Sequence, residues 1–248
     1  MFLKKWESLP DCMKTDKILP YYESLKRKRT SLFFKRFFDI FASFVMLIVL
    51  SPVFLILALA IKLDSKGPVF YRQTRITQYG KKFRIFKFRT MVHNADTLGA
   101  QVTVGDDDRV TKVGKVIRKL ILDEISQLID VFRGTMTFVG TRPEVTKYVD
   151  YYSEEMLATL LLPAGVTSKA SIFFKDEAEL LEGEEDPDEA YVKEILPCKM
   201  KYNLKDIEEF GFFNDIKIMF MTVFAVLGKK YDDELAEIPK KEAVLSRK

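Results

Sequence analysis

Asp123 and Glu124 stand side by side just after Arg118 and Lys119, within a stretch otherwise rich in Ile and Leu. Adjacent helical residues diverge by about 100°, so two such carboxylates line different sides of a site rather than share one proton. An Asp-Glu pair of this kind also serves as plain surface charge that offsets Arg118 and Lys119. Other groups suited to phosphate chemistry accompany it. Lys87 and Arg89 are two residues apart in a β-rich run, hence on one side of a strand. Gly140-Thr141-Arg142-Pro143 joins a glycine that admits close backbone approach to an arginine able to contact a phosphate through two N–H groups. The single histidine, His93, precludes a histidine-cluster metal site; it is either a general base or, more commonly, a surface or packing residue.

The elements that must hold these residues follow from local patterns. Val69–Gln73 and Phe83–Phe88 flank Tyr79-Gly80 and predict a short β-ribbon. Asp106-Asp107-Asp108 opens a loop. Val113 to Phe132 carries apolar residues at helical spacing and predicts one helix carrying Asp123 and Glu124, with Gly134 as its C-terminal cap. Glu144 to Leu162 predicts another, broken by Pro163-Ala164-Gly165. Ile216–Leu227 is almost wholly apolar but, at twelve residues, too short to span a bilayer; it reads as a core helix or one lying in a membrane interface.

The largest feature lies N-terminal to the ribbon. Phe37–Ile61 is a 25-residue apolar run, long enough to cross a hydrocarbon core of roughly 30 Å. Ser51-Pro52 interrupts it midway. Pro52 lacks an N–H and its ring clashes with the carbonyl of Ile48, so the helix must bend there; the Ser51 hydroxyl is positioned to bond back to the carbonyl of Leu47. Basic residues flank both ends, Lys26 to Arg36 before and Lys62 to Arg84 after. A straight spanning helix cannot keep both flanks on one side, whereas a re-entrant segment can. A kinked span and a buried core helix are the alternatives. Lys35 and Arg36 lie within reach of Asp39, the one acid inside the run, for a neutralising pair at the interface.

Composition bounds the rest. The 248 residues carry a net charge of +4, unevenly spread: residues 26–36 and 62–91 are basic, and nine acids lie between Asp176 and Glu189. The basic part suits anionic head groups or a phosphorylated substrate, and nucleic acid is disfavoured because this zone borders a lipid-length apolar run. Cys12 and Cys198 lack zinc spacing and are expected to be reduced thiols facing the cytosol. The expected organisation is a basic tail (1–30), a membrane helix (31–66), a catalytic domain (67–228) with an acidic solvated loop (176–189), and a charged tail (229–248). The 1–30 tail reads as poorly ordered or surface-hugging.

Six motifs now fall in one order: Lys35-Arg36-Phe37-Phe38-Asp39; Ser51-Pro52; Gly67-Pro68-Val69-Phe70; Phe83 to Met91; Leu122-Asp123-Glu124-Ile125-Ser126-Gln127-Leu128; and Arg133 to Pro143. Together they resemble the bacterial sugar transferases, the monotopic phosphoglycosyl transferases. The likeness covers residues 34–170 and resumes at Asp215-Ile216-Lys217-Ile218. It implies an α+β, mostly helical protein, with a re-entrant helix-break-helix hairpin packed on a small cytoplasmic catalytic domain that has a short β-ribbon and interfacial amphipathic helices. It also implies transfer of a sugar 1-phosphate from a UDP-sugar to polyprenyl phosphate at the cytoplasmic face of the bacterial inner membrane, starting glycan assembly that downstream glycosyltransferases continue. In the resemblance Asp123 is the nucleophile. Mg²⁺ sits at the diphosphate near Asp123 and Glu124, and Lys87, Arg89, Arg118 and Arg142 handle phosphates or nucleotide. Glu124 either helps hold Mg²⁺ or takes a proton from the acceptor. The chain departs from the family at Thr141, where a proline is usual, and at Pro163–Ser171, where an arginine and a glutamine are replaced. An inactive scaffold and an anionic-lipid-binding protein are the rival readings.

Overall fold

In a computed structural model, residues 3–95, 107–175, 177–181, 183 and 186–231 are described. Among these residues the structure is mostly helical with two small sheets. Helices α1 (Leu19–Arg27), α2 (Arg29–Val49) and α3 (Ser51–Asp64) lead into an antiparallel ribbon of β1 (Phe70–Thr77) and β2 (Lys81–Phe88). The ribbon pairs Phe70 with Phe88 and Thr77 with Lys81 around Tyr79-Gly80, as its alternation predicts. Next come α4 (Lys112–Lys119), α5 (Leu128–Arg133), β3 (Met136–Val139), α6 (Thr146–Val149) and β4 (Ala164–Thr167), with β3 and β4 parallel. Among the described residues there follow α7 (Lys169–Phe173), α8 (Glu177–Leu180), α9 (Pro187–Ala190), a π-helical turn at Tyr191–Ile195, α10 (Leu196–Glu208) and α11 (Phe212–Val226).

The axes of α2 and α3 differ by 61° across the break, and no single helix among the described residues is long and apolar enough to cross a membrane. The break forms as Pro52 requires, but Ser51 Oγ donates to the carbonyl of Ile48 at 2.7 Å rather than to that of Leu47. Pro52 lacks the N–H that would bond the Ile48 carbonyl four residues back, and the Ser51 hydroxyl donates to that carbonyl instead.

Helix α2 is amphipathic in the inverse sense of a soluble helix. Its buried stripe is Leu32, Lys35, Asp39 and Ser43, while Phe33, Phe37, Phe41, Phe44 and Ile48 face outward. The intrahelical pairing expected of Lys35 and Arg36 with Asp39 is replaced by bonds into the domain. Lys35 Nζ donates to Asp215 and to the carbonyl of Val139, and Arg36 donates to the carbonyls of Val131 and Phe132. Asp39 accepts from Thr137 Oγ1 at 2.7 Å and the Phe138 N–H at 3.2 Å. Each charge thereby gains a partner that also ties α2 to α5, β3 or α11. Helix α11 buries Asp215, Ile218, Met221 and Ala225 and exposes Phe220, Val223 and Phe224.

Three local expectations differ from the structure. Residues 3–28 are no loose tail: Leu9, Met13, Ile18, Tyr21, Tyr22 and Leu25 are buried against Ile76, Tyr79, Leu161, Ile207 and Phe210. Glu144–Leu162 holds only α6 and a 3-10 turn at Met156–Leu161. The acidic stretch contains α8 and α9 and carries engaged side chains, Glu177 with Lys199 and Asp188 with Lys147. Asp106, Asp176, Glu182, Glu184, Glu185 and residues 232–248 lie outside the described residues. Cys12 and Cys198 are not joined in a disulfide.

Candidate active site

The long helix expected over 113–132 is two helices with a turn between them, and Asp123-Glu124 occupies that turn. Helix α4 starts at a capping Thr111 whose hydroxyl accepts from Gly114 N–H, with Asp64 accepting from Val113 N–H. It ends because Ile121 adopts φ 55°, a left-handed conformation that breaks the i→i−4 ladder; Leu122 N–H then returns to the carbonyl of Ile117. The pair is held against the end of β2, where Phe88 N–H donates to the Asp123 carbonyl at 3.0 Å. Ser126 Oγ spans the carbonyls of Asp123 and Phe86. Helix α5 ends at Gly134, φ 87°, the left-handed cap that the sequence predicts.

The arginine loop reaches the pair from the other side. Gly140 N–H donates to the Thr167 carbonyl, and Gly165 N–H to the Thr141 carbonyl. A Cβ on Gly165 would stand 2.2 Å from the Gly140 backbone, so this crossing requires glycine. Past the crossing, Arg75 Nη1 donates to the Pro143 carbonyl at 3.0 Å and Ile76 N–H to the Glu144 carbonyl.

Four predicted residues therefore meet. Lys87 Nζ lies 3.0 Å from Glu124 Oε1 and 4.0 Å from Asp123 Oδ2. Arg142 grips Glu124 with both prongs, Nη1 to Oε2 at 3.0 Å and Nη2 to Oε1. Burial raises the Glu124 carboxyl, but Arg142 and Lys87 outweigh it and hold the group well below the usual carboxylate range. Asp123 is different: burial lifts its pKa above the ordinary value, with Lys87 only partly opposing. One acid is a fixed anion and its neighbour the more basic carboxylate of the two, an environment that divides their roles.

Two predicted site residues stand differently. Arg89 is buried, and its guanidinium serves the carbonyls of Lys66 and Ser65 at the end of α3. The strand ends at Phe88, so the two-residue spacing that aligned Arg89 with Lys87 no longer applies. Arg118 touches neither carboxylate directly; its Nε donates to Thr90 Oγ1, and its charge reaches Asp123 through space. His93 is exposed. Sequence reasoning missed Glu144, Arg75 and Thr90; Glu144 follows Pro143 directly, the one cue available.

Among the described residues no three of His, Cys, Asp and Glu converge as a metal site. Both oxygens of Glu124 are engaged by cations, which leaves the Asp123 carboxylate most accessible to a metal. One or two carboxylates do not make a cage for a divalent ion, but they fit Mg²⁺, which keeps several waters and shares phosphate oxygens with its substrate.

The chain is similar to several known proteins. The chain is 34% identical over 198 residues to a UDP-N-acetylgalactosamine-undecaprenyl-phosphate N-acetylgalactosaminephosphotransferase of Aeromonas hydrophila, covering 79% of this chain and 44% of that protein. It is 35% identical to a UDP-glucose:undecaprenyl-phosphate glucose-1-phosphate transferase of Caulobacter vibrioides, covering 78% and 69%. An uncharacterized sugar transferase of Bacillus subtilis is 31% identical, with 78% and 87% covered. The chain thus spans less than half of the Aeromonas relative and most of the Bacillus one. The Asp-Glu turn, the arginine loop and the bent helix all fall inside residues 30–229, the part matched by the bacterial sugar transferase model, and the chain belongs to that family.

Proposed function

We propose that this protein transfers a sugar 1-phosphate from a UDP-sugar to polyprenyl phosphate, with Asp123 as nucleophile. The observation that carries the reading is the asymmetry of the pair: Glu124 locked by Arg142 and Lys87, Asp123 half-buried, more basic and left to react. Relatives named for transfer to undecaprenyl phosphate support the same substrates.

In the first step an Asp123 oxygen attacks the sugar-bearing phosphorus. The bond to the bridging oxygen breaks, and UMP leaves with that oxygen and its electron pair. An aspartyl phosphosugar remains. In the second step a phosphate oxygen of the polyprenyl acceptor attacks the same phosphorus, the bond to Asp123 breaks, and the carboxylate is restored. In this reading Lys87 and Arg142 neutralise phosphoryl charge so that an anion can approach. Asp123, with Glu124 behind it, would hold a Mg²⁺ ion that supplies further charge neutralisation at the diphosphate.

The acceptor is a lipid, and the chain has a face for lipid. The outward phenylalanines of α2, the exposed Leu55, Ile56 and Leu59 of α3 and the apolar outer face of α11 support a re-entrant helix pair that enters and leaves by the cytoplasmic face of the inner membrane. In this reading the product enters glycan assembly, and downstream glycosyltransferases are the next partners. Screening a panel of UDP-sugars for Mg²⁺-dependent UMP release by the purified protein tests the proposal. Release with at least one sugar is expected; no release with any of them would overturn it.

A further inference from the structure

Behind the arginine loop lies a buried polar chain that the proposed reaction does not use. Glu144 is only 7% exposed. Its Oε1 accepts from the Tyr191 hydroxyl at 2.6 Å. Lys199 Nζ donates to the Tyr191 oxygen at 3.0 Å and to Glu177 Oε2 at 2.8 Å, with Glu144 Oε1 3.6 Å away. Tyr148 packs its ring 4.6 Å from that of Tyr191 and donates to Asp188. The acidic stretch thus touches this chain twice, through α8 and through α9.

Apolar side chains would fill this volume at lower cost than two carboxylates, an ammonium and a phenol. A fully bonded polar network instead fixes one geometry. Here that geometry is the backbone beside Arg142. The Glu144 side chain is held by Tyr191 while its carbonyl accepts from Ile76 N–H on β1, so the residue two places after Arg142 is clamped at both ends. Arg142 also senses the chain electrostatically: after Glu124, the charges of Glu177 and Glu144 favour its cationic form. A misplacement of about 1 Å at such a charge is enough to cost a large rate factor.

We infer that Glu144, Tyr191, Lys199 and Glu177 are positioning residues for Arg142, and that the acidic segment belongs, through Glu177, to the phosphate-binding apparatus. This rests on the reading of Arg142 as a phosphate ligand.

The test uses the full chain in detergent with Tyr191→Phe and Lys199→Met, each alone and combined with Arg142→Lys. Two readouts apply: amide hydrogen exchange at Ile76, and UMP release from the UDP-sugar that the wild type uses. Tyr191→Phe keeps the ring and is expected to speed exchange at Ile76 and lower kcat about tenfold with KM little changed. In the Arg142→Lys background the same substitution is expected to add less than about twofold, because the loop it holds no longer carries the guanidinium. An equal loss in both backgrounds would reveal a merely structural role and overturn the inference. Unchanged exchange at Ile76 in both Tyr191→Phe and Lys199→Met overturns it whatever the UMP result. A wild type that releases no UMP defeats the functional reading, and exchange at Ile76 then still decides whether the network holds the loop.

Discussion

Arg142 and Glu124 form a two-pronged ion pair, Nη1 donating to Oε2 at 3.0 Å and Nη2 to Oε1, with Lys87 on the same carboxylate. Two loops from different parts of the chain are thereby joined at the point where chemistry is proposed. Glu124→Gln keeps the shape but turns an acceptor toward a donor on one prong. Unfolding should become easier by about 1.5–3 kcal/mol, the range for hydrogen bonds to charged groups. The folded-state pKa of Glu124 is depressed, so its contribution is fully present above the unfolded value of about 4.3 and is lost as pH falls below it. Denaturant titration should find a constant gap between wild type and Glu124→Gln above about pH 5, closing in acid.

Lys87 lowers the pKa of Asp123 against the effect of burial. Lys87→Met should therefore raise that pKa and move the acid limb of the rate profile for UMP release to higher pH. Alkaline rates should recover more fully than rates near pH 6. A limb that stays in place would show that Asp123 ionisation does not govern this step.

Arg89 is tied to the fold through the carbonyls of Lys66 and Ser65 and is expected to act on stability rather than on phosphate. Arg89→Met leaves the carbonyls of Lys66 and Ser65 without their donor, so a loss of about 2–4 kcal/mol is expected in thermal or denaturant unfolding. In protein that remains folded, KM for the UDP-sugar should match the wild type. A raised KM would return Arg89 to the binding site.

The bend carries its own test. Single cysteines near Arg29 and near Lys66 should both resist an impermeant thiol reagent applied outside intact cells. Pro52→Ala restores an N–H to the helix interior and should shift part of the population toward a straight span, with the two positions labelled differently. Opposite labelling in the unaltered chain would contradict a re-entrant pair.

The parts legible in sequence are those set by local chemistry. The Ser51-Pro52 bend, the ribbon around Tyr79-Gly80 and the Gly134 cap each follow from one or two residues with restricted backbones. Periodicity failed where a break occurs inside an apolar run: nothing in Leu120-Ile121-Leu122 announces that Ile121 turns left-handed, yet that turn presents Asp123 and Glu124. It failed again before Arg29, where Tyr21, Tyr22 and Leu25 find their core across the chain at Leu161, Ile207 and Phe210. Charges were the least readable, because Lys35 and Arg89 choose partners by tertiary packing and not by spacing along one element.

The covalent intermediate at Asp123 is the central claim, and intact-protein mass spectrometry tests it most directly. Enzyme incubated with Mg²⁺ and its UDP-sugar, without polyprenyl phosphate, should gain the mass of one sugar phosphate and release UMP in an amount limited by the enzyme present. Asp123→Asn keeps the shape and removes the attacking charge, so both signals should vanish. An adduct of the same mass on the Asp123→Asn protein, or UMP release by the wild type only when polyprenyl phosphate is added, would contradict the account.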